Sequence, residues 1–488
     1  MRGHAEDTDV IVVGTGPVGL MLAGELRTGG TRVTVLERLA APTTESRAST
    51  VHARTMEILD ERGLLEALGP VHNDVTGHFG GIRLDFGRLD SRFPGQWKVP
   101  QARAEQLLGA WATGLGAVIR RGHDLVALRQ SAAHVEVEAV GPDGPVGLRG
   151  AYLVGCDGEN STVRRLAGVD FPGSDATREL LRADVAGIDV PDRRFERHEH
   201  GLAIAHRRAD GVTRIMVHEF GRAATPRAAA PDFAEVAATW AKVTGEDVTA
   251  GTPIWVNAFG NARRQAERYR AGRVLLAGDA AHVQMPVGGQ ALNLGLQDAV
   301  NLGWKLAAQV RGWAPAGLLD SYHRERHAVG RRVLANIEAQ ATVLLGGAEV
   351  EPLRGVVAEL LRHDEVTDHL AGMISGLDVR YPLGGDTGPT GARAPHWELA
   401  GPTGPSSSAT LLRTGHGVLL DFTGEVRHDV VGGWAGRVSL VSAVPPPGAA
   451  GPTVGTVLIR PDGHVAWHDG DPAQLRVALH RWFGAPDA

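Results

Sequence analysis

The chain of 488 residues has one cysteine, Cys156. That excludes an intramolecular disulfide and any paired-thiol redox or zinc motif, and no metal site is expected. Lysine is nearly absent, occurring only at positions 98, 242 and 305, and arginine carries the basic charge. No apolar run is long enough to span a bilayer. No basic-plus-apolar leader opens the chain, so a cytoplasmic protein with no membrane partner is expected. The net charge of −6 argues against general nucleic-acid binding. No internal repeat is visible. The remainder, 43% hydrophobic and 22% charged, is that of a globular protein with two or three domains.

Three stretches carry chemistry. The first is DVIVV (9–13), a β-branched run suited to a buried parallel strand, followed at once by GTGPVG. LMLAGELRTGG then reads as an amphipathic helix, and TRVTVLE as a second strand ending in Glu37. This is the βαβ dinucleotide fingerprint in its required context. Gly14 allows the tight turn, Gly16 lets a pyrophosphate approach the backbone, and Gly19 lets helix and strand pack. Glu37 lies 23 residues after Gly14 and can take both hydroxyls of an adenosine ribose, favouring FAD or NAD over NADP.

The second is AYLVGCDGENSTVRRLAG, a strand ending in Cys156-Asp157-Gly158 before a short helix. Asp157 can touch a cofactor or cap that helix. The third is RVLLAGDAAHVQMPVGGQALNLGLQDAVNLGWKLA (273–307). It reads as a strand, the acidic turn Gly278-Asp279, a glycine-bearing loop and a helix whose open amino terminus suits an anion. Arg47, His52 and Arg54, in 42–63, are candidate exposed cations, and Arg47 is the one weighed for a phosphate or flavin edge against plain solvation.

Around these motifs, 176–260 reads as a separate antiparallel sheet around a helix at 232–243, a suitable lid for a bulky apolar ligand. Segments 315–345 and 350–376 read as long helices, and 382–395 as a Gly/Pro linker. Strands and a terminal helix follow from about 395.

Taken together and in order, GTGPVG with Glu37, GCDGENSTVRR and GDAAH…PVGGQALN resemble the class A FAD-dependent aromatic hydroxylases, the para-hydroxybenzoate hydroxylase family. The closest likeness is to the aromatic-polyketide hydroxylases. The resemblance covers 8–345 densely, and the tail from about 385 resembles the thioredoxin-like domain of that subgroup, also without redox cysteines. It implies an α/β fold: a discontinuous Rossmann-type FAD-binding domain (1–175 and 261–345), an inserted antiparallel-sheet substrate domain (176–260), a helical connection and linker (346–384) and a thioredoxin-like domain (385–488).

It further implies that Gly14, Gly16, Pro17, Val18 and Gly19 hold the FAD pyrophosphate, with Glu37 and Arg38 at the adenosine ribose. Arg47 and Gln101 match FAD-contacting positions, Asp157 lies near the pyrophosphate and the nicotinamide cofactor, and Gly278-Asp279 takes the ribityl chain. Pro286, Gly288, Gly289, Ala291, Leu292 and Asn293 line the isoalloxazine. NAD(P)H docks transiently as reductant, without a second Rossmann site. The implied reaction is hydroxylation of a bulky polycyclic aromatic by a flavin C4a-hydroperoxide formed with O2. Baeyer–Villiger or epoxidising chemistry, or a flavin-binding cyclase or dehydratase that has lost oxygen transfer, are the alternatives, and a homodimer is left open. The WxWxIP stretch of flavin-dependent halogenases is missing.

The sequence names no compelling acid or base. His218 and His282 are candidates, and each has a plain core or surface role as its alternative. One departure from the family loop Pro-x-Gly-x-x-Gly-x-Asn is Ala291, where the second glycine belongs. Either the alanine fits with a small shift, or it displaces the flavin and supports the cyclase alternative.

Overall fold

The computed structural model describes residues 6–42, 49–227, 229–384, 388–401, 404–426, 428–444 and 454–487. The elements that position the site are β1 (Val10–Val13), α1 (Pro17–Thr28), β2 (Val33–Glu37), α2 (Gln101–Gly114), β3 (Val118–Arg121), β4 (Tyr152–Gly155), β5 (Val274–Leu276), α3 (Gln290–Arg311) and α4 (Asp320–Leu345). The strands form one parallel sheet in the order β5-β4-β1-β2-β3, with Arg270–Ala271 added antiparallel at the β5 edge. β1 is fully buried, as a β-branched run covered on both faces must be.

Register explains why motifs far apart in sequence meet. Val13 lies opposite Gly155, Gly155 opposite Leu276, and Val13 opposite Leu36. The GTGPVG, GCDG and GDA turns therefore leave neighbouring strands at one level, the carboxyl edge of a parallel sheet, where α/β proteins bind ligands.

α1 departs from the amphipathic expectation, because nine of its 12 residues are buried. It is wedged between two helices. A Cβ on Gly24 would sit 2.0 Å from the Trp111 ring of α2, and one on Gly303 of α3 would sit 2.3 Å from Glu25. The buried Glu25 is matched by Arg62, whose Nε donates to it at 2.5 Å.

Between β4 and β5 lies an antiparallel sheet, ordered 193–198, 201–207, 213–219, 179–186, 252–260. Strand alternation divides its side chains. Leu181, Ala183, Ile215 and Val217 pack on the helix Phe233–Thr244, centred on Trp240. Leu180 and Leu202 face the other way, toward Met285, Val287, Ile337 and Leu344. The carboxyl-terminal sheet, ordered 438–442, 417–421, 456–459, 465–468, has one parallel and two antiparallel pairings. The helix Pro472–Phe483 packs on it through Leu475, Leu479 and Phe483, the arrangement expected of a thioredoxin-like fold.

Two expectations are revised. The segment 350–376 is two helices, Glu351–Leu360 and Asp364–Ser375, and the acids at 364 and 365 suit a new helix start. The linker is anchored where it is described: Tyr381 and Leu383 are buried, and Arg380 and Arg393 bridge to Ala392 and His464.

Candidate functional site

The first turn divides its glycines by geometry. Gly14 has φ +106, and a Cβ there would lie 2.3 Å from the Cys156 carbonyl oxygen. A Cβ on Gly19 would lie 2.1 Å from the Gly14 carbonyl oxygen. A Cβ on Gly16 would meet nothing within 4 Å. Tight turn, close helix packing and open approach thus fall to Gly14, Gly19 and Gly16 respectively. Gly16 is the N-cap of α1 and Pro17 follows it, so no side chain occupies the helix N–H groups. Glu37 stands at the mouth of this turn. Thr15 N and Oγ1 donate to its Oε2 at 2.8 and 2.9 Å, and Leu39 N to its Oε1 at 2.9 Å. Arg38 is exposed beside it. Gln101 begins α2 and donates to Glu105 at 2.8 Å, while burial raises the Glu105 pKa. Arg47 lies outside the described residues.

In the second turn, Asp157 accepts from Ser161 Oγ at 2.5 Å and Val163 N at 3.0 Å, and Ser161 caps the helix Thr162–Leu166. The capping role is therefore real. Arg164, given no role in the sequence, ties this turn to the next: its guanidinium donates to Ala280 O at 2.9 Å and lies 3.7 Å over the Phe171 ring.

The third turn, Gly278–Ala280, holds an exposed Asp279 between two buried neighbours. Gly278 has φ +63, and a Cβ there or on Gly295 would press on Val18. Behind it sits Asp298, fully buried and unrecognised in the sequence. Gly278 N and His282 Nε2 reach its Oδ2 at 3.2 and 2.7 Å, and Arg326 Nε reaches its Oδ1 at 2.7 Å. The guanidinium holds its carboxyl below the usual range despite burial.

The loop 286–293 follows Pro286. Gly288 and Gly289 both have φ +68, a left-handed pair only glycine adopts readily. Gly289 is the N-cap of α3, again without a side-chain cap. Ala291 and Leu292 lie inside α3, and Ala291 is not among the positive-φ residues. The left-handed requirement rests on Gly288 and Gly289, so Ala291 needs no glycine backbone. Asn293, buried, fastens the loop with its whole amide. His52 N and Thr55 Oγ1 donate to its Oδ1 at 2.9 and 2.7 Å, and its Nδ2 donates to Thr50 O at 3.0 Å and Gly289 O at 2.8 Å.

The other candidates are corrected. Arg54 and His52 are buried, not exposed. Arg54 pairs with Glu57 and Glu61, and His52 Nε2 donates to Gly288 O at 2.7 Å. His282 is fully buried against Asp298. His218 lies between the Glu179 and Leu345 carbonyls, at 2.8 and 3.1 Å. Neither is placed to move a substrate proton.

The residues fit FAD. Two helices, α1 and α3, open without side-chain caps, and Gly16 leaves room for a phosphate. His52 Nδ1, both amide atoms of Gln284 and Gln290 Nε2 are buried with no hydrogen-bond partner among the described residues. They belong to the loop and the strand beside it, where a polar heterocycle would engage them.

A family model described as FAD binding domain matches residues 7–337, and one described as aromatic-ring hydroxylase, C-terminal, matches 387–486. The 12-dehydrotetracycline 5-monooxygenase/anhydrotetracycline 6-monooxygenase of Streptomyces rimosus is 42% identical, covering 98% of this chain and 99% of its own. The dialkyldecalin synthase of Streptomyces rugosporus is 40% identical, covering 97% and 98%. The crystal structure of CabE, an aromatic hydroxylase from angucycline biosynthesis, is 51% identical with a TM-score of 0.94, covering 99% of this chain and 100% of its own. The chain belongs to the FAD-binding aromatic-ring hydroxylases, a family of flavoprotein monooxygenases.

Proposed function

We propose that this enzyme hydroxylates a polycyclic aromatic polyketide, consuming NAD(P)H and O2. The observation that carries the reading is the convergence of three ligand-type turns at one sheet edge, beside an apolar face of the 179–260 sheet. The polyketide class is supported by the activities of relatives at 42% and 51% identity, an anhydrotetracycline monooxygenase and an aromatic hydroxylase from angucycline biosynthesis. We divide the chain into 1–175 with 261–345, 176–260, 346–384 and 385–488. Cytoplasmic placement is consistent with the lack, among the described residues, of a helix able to cross a membrane.

Bound FAD supplies electron transfer from NAD(P)H and activation of O2. The chain does the rest. Gly14, Gly16, Pro17, Val18 and Gly19 form the pyrophosphate cradle at the α1 amino terminus. Glu37, with Arg38 and Gln101 close by, takes the adenosine end, and Asp279 the ribityl hydroxyls. Asp157 keeps the second turn in shape beside them. The uncapped start of α3, reached through Pro286, Gly288 and Gly289, offers backbone N–H groups and a partial positive charge that would favour the bound ring in its anionic form. Asn293 holds that loop closed on Thr50 and His52. Leu180, Leu202, Met285 and Val287 exclude water from the substrate side. With both ring nitrogens of His218 on carbonyls and Nε2 of His282 on the buried Asp298, neither is assigned as a base, and an electron-rich phenol would be activated by its own ring hydroxyl.

The dialkyldecalin synthase relative favours one other reading, a flavin-binding cyclase without oxygen transfer. Ala291 no longer supports it. The visible spectrum of the purified protein tests the first reading: oxidised-flavin bands, bleached by NADPH faster when a tetracyclic phenol is added, then an O2-dependent gain of one oxygen in product mass. Turnover without O2 or NADPH would establish the cyclase, and a colourless protein that takes up no FAD would overturn both.

A further inference from the structure

Residues 460–464, between strands 456–459 and 465–468 of the carboxyl-terminal sheet, enter the helices behind the flavin site. Arg460 is fully buried. Its Nη1 and Nη2 donate to Glu325 Oε1 and Oε2 at 2.9 Å each, and its Nε to Asp462 Oδ1 at 3.0 Å. Asp462 accepts from Asn301 Nδ2 at 3.0 Å, and Lys305 Nζ donates to Asn301 Oδ1 and Glu325 Oε2 at 2.8 Å. Arg54 and Arg62 donate to the Asp462 and Pro461 carbonyls. Next to Glu325, Arg326 donates to Asp298 at 2.7 Å, to Leu294 O at 3.0 Å and to Tyr381 Oη at 3.2 Å. The Tyr381 ring lies 4.3 Å from that of His464.

We propose that Arg460, Asp462 and Tyr381 are positioning residues for the flavin site, acting through α3 and α4. On α3 they reach Asn301 directly through Asp462, and Leu294, Asp298 and Lys305 through Arg326 and Glu325 of α4, and these four are spaced four, three and four residues apart. That is one stripe of a helix. Fixing a stripe fixes both the rotation and the axial position of α3, whose first turn carries Gly289. The same stripe includes Asp298, which accepts from Gly278 N beside Asp279. Cations and anions alternate along the path, so loss of one contact leaves a buried charge under-satisfied and the helix shifts to recover it. The carboxyl-terminal part thereby acts on the cofactor site without touching it.

The inference rests on the FAD reading. Its test uses the full-length holoprotein with Tyr381→Phe, which keeps the ring and removes one hydrogen bond, and Arg460→Lys, which keeps the charge and removes the bidentate contact. Exposed Arg476→Ala is the control. FAD Kd, the visible circular dichroism of the flavin and its midpoint potential are measured. The expected result is a FAD Kd about five- to tenfold weaker with altered flavin dichroism and potential in Tyr381→Phe, a larger effect in Arg460→Lys, and none in the control. Should Arg460→Lys not fold, Tyr381→Phe decides. Wild-type Kd, dichroism and potential in a folded Tyr381→Phe would overturn the proposal, whatever its thermal stability. Wild-type protein that takes up no FAD would overturn the functional reading, and this inference with it.

Discussion

Replacing Asn293 by alanine tests whether the loop before α3 is built for its ligand or merely lies there. The amide is 2% exposed, and its loss strips partners from His52 N, the Thr55 hydroxyl, Thr50 O and Gly289 O. A buried polar group left unpaired costs about 1–3 kcal/mol. Water entering the space left by the amide recovers part of that. A net cost of roughly 3 kcal/mol follows, most of it falling on the loop and the strand Thr50–His52. FAD binding requires the ordered loop, so this corresponds to about a hundredfold weaker Kd. Asn293→Asp does no better, because its second carboxylate oxygen faces two carbonyls where the amide donated. Quenching of flavin fluorescence on titrating apoprotein reads the Kd, and amide hydrogen exchange at 50–55 and 286–293 reads the loop. A Kd within threefold of wild type in both variants, with unchanged exchange, would refute the reasoning.

Gly16→Val is expected to leave folding intact and abolish measurable FAD uptake, since its side chain meets no protein atom within 4 Å of the Cβ and fills the phosphate approach; a yellow, fully loaded variant would count against the site. Ala291→Gly should lower stability by about 1 kcal/mol, the cost of glycine inside a helix, while NADPH oxidation stays at the wild-type rate; a changed rate would revive the displaced-flavin idea. Burial holds His52 down to about 4 and His78 down to about 3. Unfolded histidines titrate near 6.5, so between that pH and about 4 the unfolded chain binds more protons and stability falls as pH falls. His52 alone accounts for about 3 kcal/mol of that loss. Unfolding midpoints measured from pH 7 to 4 should show it, with a shallower slope in His52→Gln, and a flat profile in the wild type would contradict it.

The parallel sheet and its three turns were legible because each is local: a β-branched run, then glycines and an acid at fixed offsets. Strand register, which the sequence does not print, is what brings them to one edge. The rest depended on partners supplied by distant chain. Arg54 and His52 read as exposed because nothing near them in sequence predicts that Arg54 would meet the Asp462 carbonyl, or His52 the Gly288 carbonyl. Arg54, Glu57 and Glu61 do share a helix face, and that spacing was the one available signal. Asp298, Arg164 and Arg326 gave none, each being an ordinary helix residue until the fold surrounds it. α1 carries Gly24 where Trp111 of α2 presses on it, and on its other side the small residue is Gly303 of α3, against Glu25; neither signal registers as an apolar face of α1.

Oxygen transfer and cyclisation make nearly the same demands on this scaffold: a flat apolar chamber, dry, against the face of a fixed ring. The loop does not separate them, because Ala291 has ordinary helical backbone and the left-handed pair precedes it. What remains free to differ is the inner face of the 179–260 sheet, which grades from Leu180 and Leu202 near the loop to the Arg182 guanidinium, 4.4 Å from the Trp255 ring. No cofactor requirement fixes those side chains. Relatives 42% and 40% identical carry different activities, a monooxygenase and a dialkyldecalin synthase, and we infer that the choice of reaction on this chain is set on that face.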